Sequence, residues 1–150
     1  MIFLDFITNL DPSYSCARVI TCLHHPKSGL GEPSLLPVIN TENYVENNHR
    51  TSVALVSTKQ PVPRCPPQQG LTILVELQMA LQGSGEQKLK SCGWTKIQLF
   101  DAKNKFMTGR WKLPLKRLPI QSDTQINALG SLPNVIFLNR IKKFNFFKFY

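Results

Sequence analysis

Residues 92–119 read CGWTKIQLFDAKNKFMTGRWKLPLKRLP, and their periodicity decides the fold class. Thr95, Ile97 and Leu99 fall on one side of an extended chain, with Lys96 and Gln98 between them. After the polar run Asp101–Lys105, Met107, Gly109, Trp111 and Leu113 share a side, with Thr108, Arg110 and Lys112 opposite. Period-two alternation on both flanks of a short polar loop predicts a β-hairpin, buried on one face and wet on the other. No catalytic or metal-binding signature lies within it.

Working outward, residues 71–82 give the cleanest alternation, with Leu71, Ile73, Val75, Leu77, Met79 and Leu81 at every odd position. A helix would scatter those side chains around its cylinder, so this is a strand. Residues 1–10 alternate Ile2, Leu4 and Phe6 against Phe3, Asp5 and Ile7, and Asp11-Pro12-Ser13 is a turn signal. Residues 16–23 are a second strand with Val19, Ile20 and Thr21 at its centre, residues 51–58 a further short one, and 135–138 a last one. Between them, 26–50 reads as a long mobile loop punctuated by Pro and Gly, and 59–70, with Pro61, Pro63, Pro66 and Pro67, as a stiff crossover. Short strands joined by turn-rich connectors predict an all-β fold, an antiparallel β-sandwich, in one domain over residues 1–140.

The chain has 150 residues, enough for one real core, with eight Gly and eleven Pro and 18% charged residues. Its net charge of +9 is unevenly spread. Residues 1–87 carry five Lys/Arg against seven Asp/Glu; residues 88–150 carry thirteen Lys/Arg and only Asp101 and Asp123. Such a field attracts anionic partners; the plainer alternative is a solvated lysine-rich face. Cys16, Cys22, Cys65 and Cys92 make no zinc spacing, no N-x-S/T acceptor is present, and no basic leader precedes the apolar start. No apolar run reaches a membrane span. These features point to free thiols and a cytoplasmic location.

Chemistry is sparse. His24 and His25 are adjacent, so a strand would point them to opposite faces; they and His49 read as surface or loop-edge residues rather than ligands. No nucleophile elbow, phosphate-binding loop or dinucleotide fingerprint occurs. The isolated Asp5, Asp11, Asp101 and Asp123 do not form a calcium site, which needs several converging carboxylates. No catalysis and no cofactor are expected. The basic residues Lys96, Lys103, Lys105, Arg110, Lys112, Lys116 and Arg117 are the candidate site, able to hold an acidic peptide or a phosphoinositide head group. Nucleic acid fits less well, because Trp94, Trp111 and Phe100 read as core rather than as a stacking array.

The segment Gly93-Trp94, Leu99-Phe100-Asp101, Gly109-Arg110-Trp111-Lys112-Leu113-Pro114-Leu115 and Leu118-Pro119 resembles the C-terminal region of the coiled-coil domain-containing protein 17 family. Phe6, Leu10-Asp11-Pro12, Gln60-Pro61-Val62-Pro63-Arg64 and Val75-Glu76-Leu77-Gln78 match the same region in the same order, over about residues 1 to 138. The resemblance implies that coiled-coil segments precede this module, so that the chain is a truncated form. It carries no catalytic residues over. The family's strand order resembles C2-like sandwiches, and the expectation is a non-enzymatic protein-interaction module of C2-like type; the basic hairpin face gives the alternative, calcium-independent binding to an anionic membrane surface. Residues 141–150 depart from the family. Lys142, Lys143 and Lys148 are interleaved there with five aromatics; as a strand neither face would be cleanly apolar, and as a helix the aromatics would cover most of the circumference. They are expected to form a poorly ordered tail.

Overall fold

A computed structural model describes residues 1–27, 29–62, 65–84, 88–120 and 131–139, with only the strand course given for Gly29, Leu30 and 131–139. Among the described residues ten strands follow in order: β1 (Ile2–Leu10), β2 (Tyr14–His25), β3 (Gly29–Leu30), β4 (Ser34–Leu35), β5 (Ile39–Glu46), β6 (His49–Gln60), β7 (Thr72–Leu81), β8 (Lys90–Gln98), β9 (Arg110–Lys116) and β10 (Ser131–Asn139). All pairings are antiparallel. They make one curled sheet in the order β3-β2-β5-β6-β1-β10-β9-β8-β7, which comes round until β7 pairs β2. Two seams are thin: β2 meets β5 only at Cys16–Asn40 and Ala17–Ile39, and β8 meets β9 only at Trp94–Lys116. They divide the curl into two layers, β5-β6-β1-β10-β9 and β2-β7-β8, the latter edged by β3 and β4. The fold is all-β and sandwich-like, as the alternation predicted.

The core lies between the layers. Ile73, Val75, Leu77 and Met79 enter it from β7, Ala17 and Val19 from β2, Ile97 from β8, Leu115 from β9, and Ala54 and Val56 from β6. The phase of β1 differs from the simple alternation. Ile2, Leu4, Ile7 and Leu10 are buried, whereas Phe6 is only half-buried. The register slips between Leu4 and Phe6 against both neighbouring strands, and again toward Leu10 against β6. Each slip spends an extra residue, turns the following side chain inward and increases the local twist. Asn9 takes the left-handed conformation (φ 58°) at the second of them.

The loop expected over 26–50 is largely strand. Residues 31–36 run along β2, with Gly31 N–H donating to Leu23 O at 2.6 Å and Leu36 N–H to Val19 O at 3.0 Å. β5 then pairs β6 from Thr41–Ala54 to Glu46–His49, leaving Asn47-Asn48 as a two-residue turn with φ 48° and 62°. Left-handed values at both central positions give a turn whose twist matches the strands, and asparagine adopts them at low cost. β5 is held by its ladder more than by burial: only Ile39, Thr41 and Tyr44 are half-buried and the rest are exposed. The Pro-rich stretch expected as a crossover lies between the end of β6 at Gln60 and the start of β7 at Thr72, and residues 63 and 64 within it lie outside the described residues. The tail at 141–150 and the connection at 121–130 lie outside the described residues.

Candidate interaction surface

The loop of the β8–β9 segment is built by Asp101. Its Oδ1 accepts the backbone N–H groups of Lys103 and Lys105, both at 2.8 Å, and its own N–H donates to Lys105 O at 2.9 Å. A side-chain acceptor closing a turn in this way leaves Lys103 and Lys105 exposed at the tip. Below the tip, Phe100 and Phe106 meet edge-on at 5.5 Å, and Met107 N–H donates to Leu99 O at 2.8 Å.

From there the two strands part, which corrects the expectation of a continuous hairpin ladder. β8 continues along β7 and β9 leaves to pair β10, from Asn139–Arg110 to Ser131–Lys116. They meet again only at Trp94–Lys116. Pro114, in the middle of β9, has no N–H to donate, and proline is tolerated in a strand where that side faces no ladder partner. The segment is thus a corner where the chain changes layer.

Strand parity sorts the basic residues. Thr95 and Ile97 point inward, so Trp94 and Lys96 stand on the outer side of β8. Register partners in a ladder share a face, so Lys116 is on that side too, and with it Lys112 and Arg110. Trp111, Leu113 and Leu115 take the core side of β9. Parity therefore brings Lys96, Arg110, Lys112 and Lys116 to one side of this corner; Arg117 follows the strand with its carbonyl against Trp94, and Lys103 and Lys105 are at the loop tip. Arg110, Lys112 and Arg117 are exposed and Lys96 is half-buried. Lys116, expected at a solvated strand end, is instead buried at 6% exposure, because it lies beside Trp94 under the turn that follows β9.

Both tryptophans read as core in the sequence, and the structure separates them. Trp94, on the outer side, is 1% exposed, and its Nε1–H donates to Arg117 O at 2.9 Å. Trp111, on the core side, is only half-buried. A tryptophan on an outer face becomes buried only when other chain covers it; here residues 117–120 do so, which local periodicity cannot reveal.

Elsewhere the polar groups are spent on structure. His24 is buried, with its Nδ1 3.4 Å from Thr72 Oγ1, and His25 Nδ1 accepts the Lys27 N–H at 3.2 Å. Cys16, Cys22, Cys65 and Cys92 are free thiols, with burial pushing the Cys22 and Cys65 groups above their ordinary value and Glu76 adding to the effect at Cys22. Among the described residues no group of three His, Cys, Asp or Glu side chains is placed to hold a metal, and no helix is long and apolar enough to cross a membrane. A cleft of about 690 Å³ opens between the β1–β2 turn and the β5–β6 turn, over Tyr14 and Cys92. It contains none of the cations chosen from the sequence.

The architecture and its cationic corner define an antiparallel, sandwich-like β-module. The family model of the CCDC17 C-terminal domain matches residues 1–137, and the chain belongs to that family.

Proposed function

We propose that the domain is a non-catalytic protein-interaction module, and that its partner presents an acidic segment to the outer side of β8 and β9. The observation that supports this most is the collection of Lys96, Arg110, Lys112 and Lys116 on one side of a corner by strand parity, with exposed Arg117 directly after the strand. The only acidic residue in 88–120, Asp101, is turned into its own loop and does not interrupt that field. Clustered like charge speeds the encounter with an oppositely charged partner and suppresses wrong ones. The four free thiols suit work in the reducing cytoplasm.

The test is binding of the full chain to a glutamate-rich peptide across a salt series. The expected result is affinity that falls steeply with salt and is lost when Lys103, Lys105, Arg110 and Arg117 are together changed to Gln. Salt-independent binding, or binding untouched by those changes, would contradict the reading.

A second reading is docking on an anionic bilayer, supported by exposed Leu118 and Ile120 immediately after Arg117. Co-sedimentation with phosphatidylcholine vesicles, with and without phosphatidylserine or phosphoinositide, separates the two. Retention on the anionic vesicles alone, with no affinity for the peptide, would move the assignment to the membrane.

A further inference from the structure

Among the described residues the exposed serines and threonines are Ser13, Ser34, Ser57 and Thr108. The first three belong to turns or strands. Ser13 closes the turn after β1, its N–H donating to Asp11 Oδ1 at 2.8 Å; Ser34 lies in β4 against β2, and Ser57 lies within β6. Thr108 differs. It stands between the Phe100–Phe106 bridge and the start of β9 at Arg110, outside every strand, and its side chain makes no hydrogen bond to another described residue. Gly109, at φ 151°, separates it from the β9 ladder in a conformation that other residues rarely adopt.

The charges flanking Thr108 are positive. Lys105 is three residues before it and Lys103 five before, Arg110 is two after and Lys112 four after, and all four are exposed. Chain geometry keeps the Cα atoms of Lys105 and Arg110 within about 11 Å and about 7 Å of that of Thr108, on the order of one Debye length at physiological salt. The nearest acid in sequence, Asp101, has its carboxylate held by the N–H groups of Lys103 and Lys105. The other exposed hydroxyls lack this setting: Leu10, Gly31 and Ala54 stand three residues before Ser13, Ser34 and Ser57.

We propose that Thr108 is a phosphorylation site for a basic-directed protein kinase, and that phosphate there closes the cationic corner to acidic partners. The second half rests on the acidic-partner reading and adds the regulation of that surface. Kinases choose substrates partly by the charge pattern around the acceptor, and the acceptor segment must leave its own fold to lie in the kinase groove. Little holds it here: near Thr108 the ties are the Met107 N–H to Leu99 O bond at 2.8 Å and the edge-on Phe100–Phe106 contact. In the transfer, Thr108 Oγ1 attacks the γ-phosphorus of kinase-bound ATP. The Oγ1–P bond forms, the bond from that phosphorus to the β–γ bridging oxygen breaks, ADP leaves, and the hydroxyl proton passes to the kinase's catalytic carboxylate. The phosphate carries about −1.5 to −2 charge at neutral pH and three acceptor oxygens. Lys103, Lys105 and Arg110 are then partly neutralised from within the chain, and their attraction for a partner falls.

The experiment treats the full chain with ATP and the catalytic domain of protein kinase C, with an acid-directed casein kinase as control, and maps phosphate by mass spectrometry. Thr108 is expected to be the main site with the basic-directed enzyme. Lys103→Gln with Lys105→Gln should slow its modification about tenfold. The phosphorylated chain should bind a glutamate-rich peptide about tenfold more weakly at low salt. Thr108→Ala, at an exposed site, should bind the peptide like the parent and be unaffected by the kinase treatment. Phosphate landing mainly elsewhere, a Thr108 rate that the two Gln changes leave alone, or faster modification by the acid-directed enzyme overturns the site. Phosphate on Thr108 with unchanged peptide affinity overturns the switch. Failure of the unmodified chain to bind the peptide overturns the acidic-partner reading and the switch with it, whereas the phosphate map decides the site by itself.

Discussion

Trp94 on β8 and Lys116 on β9 are register partners, and through this one pair the two layers of the curl are joined at their open corner. Trp94 is buried on the outer side of the sheet and donates its indole N–H to Arg117 O at 2.9 Å, which ties down the turn that follows β9. Trp94→Ala should therefore destabilise the domain by about 3–5 kcal/mol. Trp94→Phe keeps the ring but leaves Arg117 O without its donor, at a cost of about 1–3 kcal/mol. Trp111→Ala, at a half-buried site, should cost less than Trp94→Ala, about 1–3 kcal/mol. Urea unfolding of the three variants checks the order; a Trp111→Ala loss equal to that of Trp94→Ala would contradict it.

Thr95 sits opposite Val75 in the core and is fully buried, and its hydroxyl has no hydrogen-bond partner among the described residues. A buried polar group left unpaired costs free energy that an apolar group of the same shape would not. Thr95→Val should raise stability by about 1 kcal/mol or more. A lower midpoint in urea would show that the hydroxyl has a partner the structure does not display.

The Asn47-Asn48 turn tests the β5–β6 hairpin. Asn48 has φ 62°, a value that glycine adopts freely and a β-branched residue adopts only under strain. Asn48→Gly should be near neutral, whereas Asn48→Val should cost about 1–2 kcal/mol. If both variants melt with the parent, β5 is not locked to β6 by this turn.

Alkaline pH should weaken the fold. Burial raises the Cys22 and Cys65 thiols, with Glu76 reinforcing Cys22, and burial followed by Cys92 raises the Tyr14 hydroxyl. Each group therefore loses its proton more readily in the unfolded chain. Their stabilising contribution is complete below the unfolded thiol range, about pH 8.5, and is lost as pH rises through the folded values. Melting temperature should fall between neutral pH and about pH 10, and Cys22→Ala should flatten part of that slope. A melting temperature constant over the same range would contradict the burial of these groups.

How much was legible in the sequence depended on what held each element. β7 declared itself because Ile73, Val75, Leu77 and Met79 all face one core. The same logic placed Thr95, Ile97 and Leu99 inward, and the β10 strand over residues it includes. β5 was hidden because its stability comes from hydrogen bonds to β6, so it has no apolar stripe to read. In β1 the stripe exists but is broken by two register slips, and Phe6 and Ile7 exchanged places for that reason. The cationic residues were all visible, and parity alone put Lys96 apart from Thr95 and Arg110 apart from Trp111. What could not be read was the cover over the outer side: residues 31–36 and 117–120 come from distant parts of the chain, and only their meeting buries Trp94 and Lys116 and encloses a cavity between them.

The central claim is that an acidic partner docks on the outer side of β8 and β9, and backbone amide shifts test it most directly. The isotope-labelled full chain would be titrated with a glutamate-rich peptide, and the perturbed amides mapped onto the strands. The account predicts changes centred on Lys96, Lys103, Lys105, Arg110, Lys112 and Arg117, fading as salt is added. Changes centred instead on the Asn47-Asn48 turn or on the cleft over Tyr14 and Cys92, with β8 and β9 silent, would contradict it.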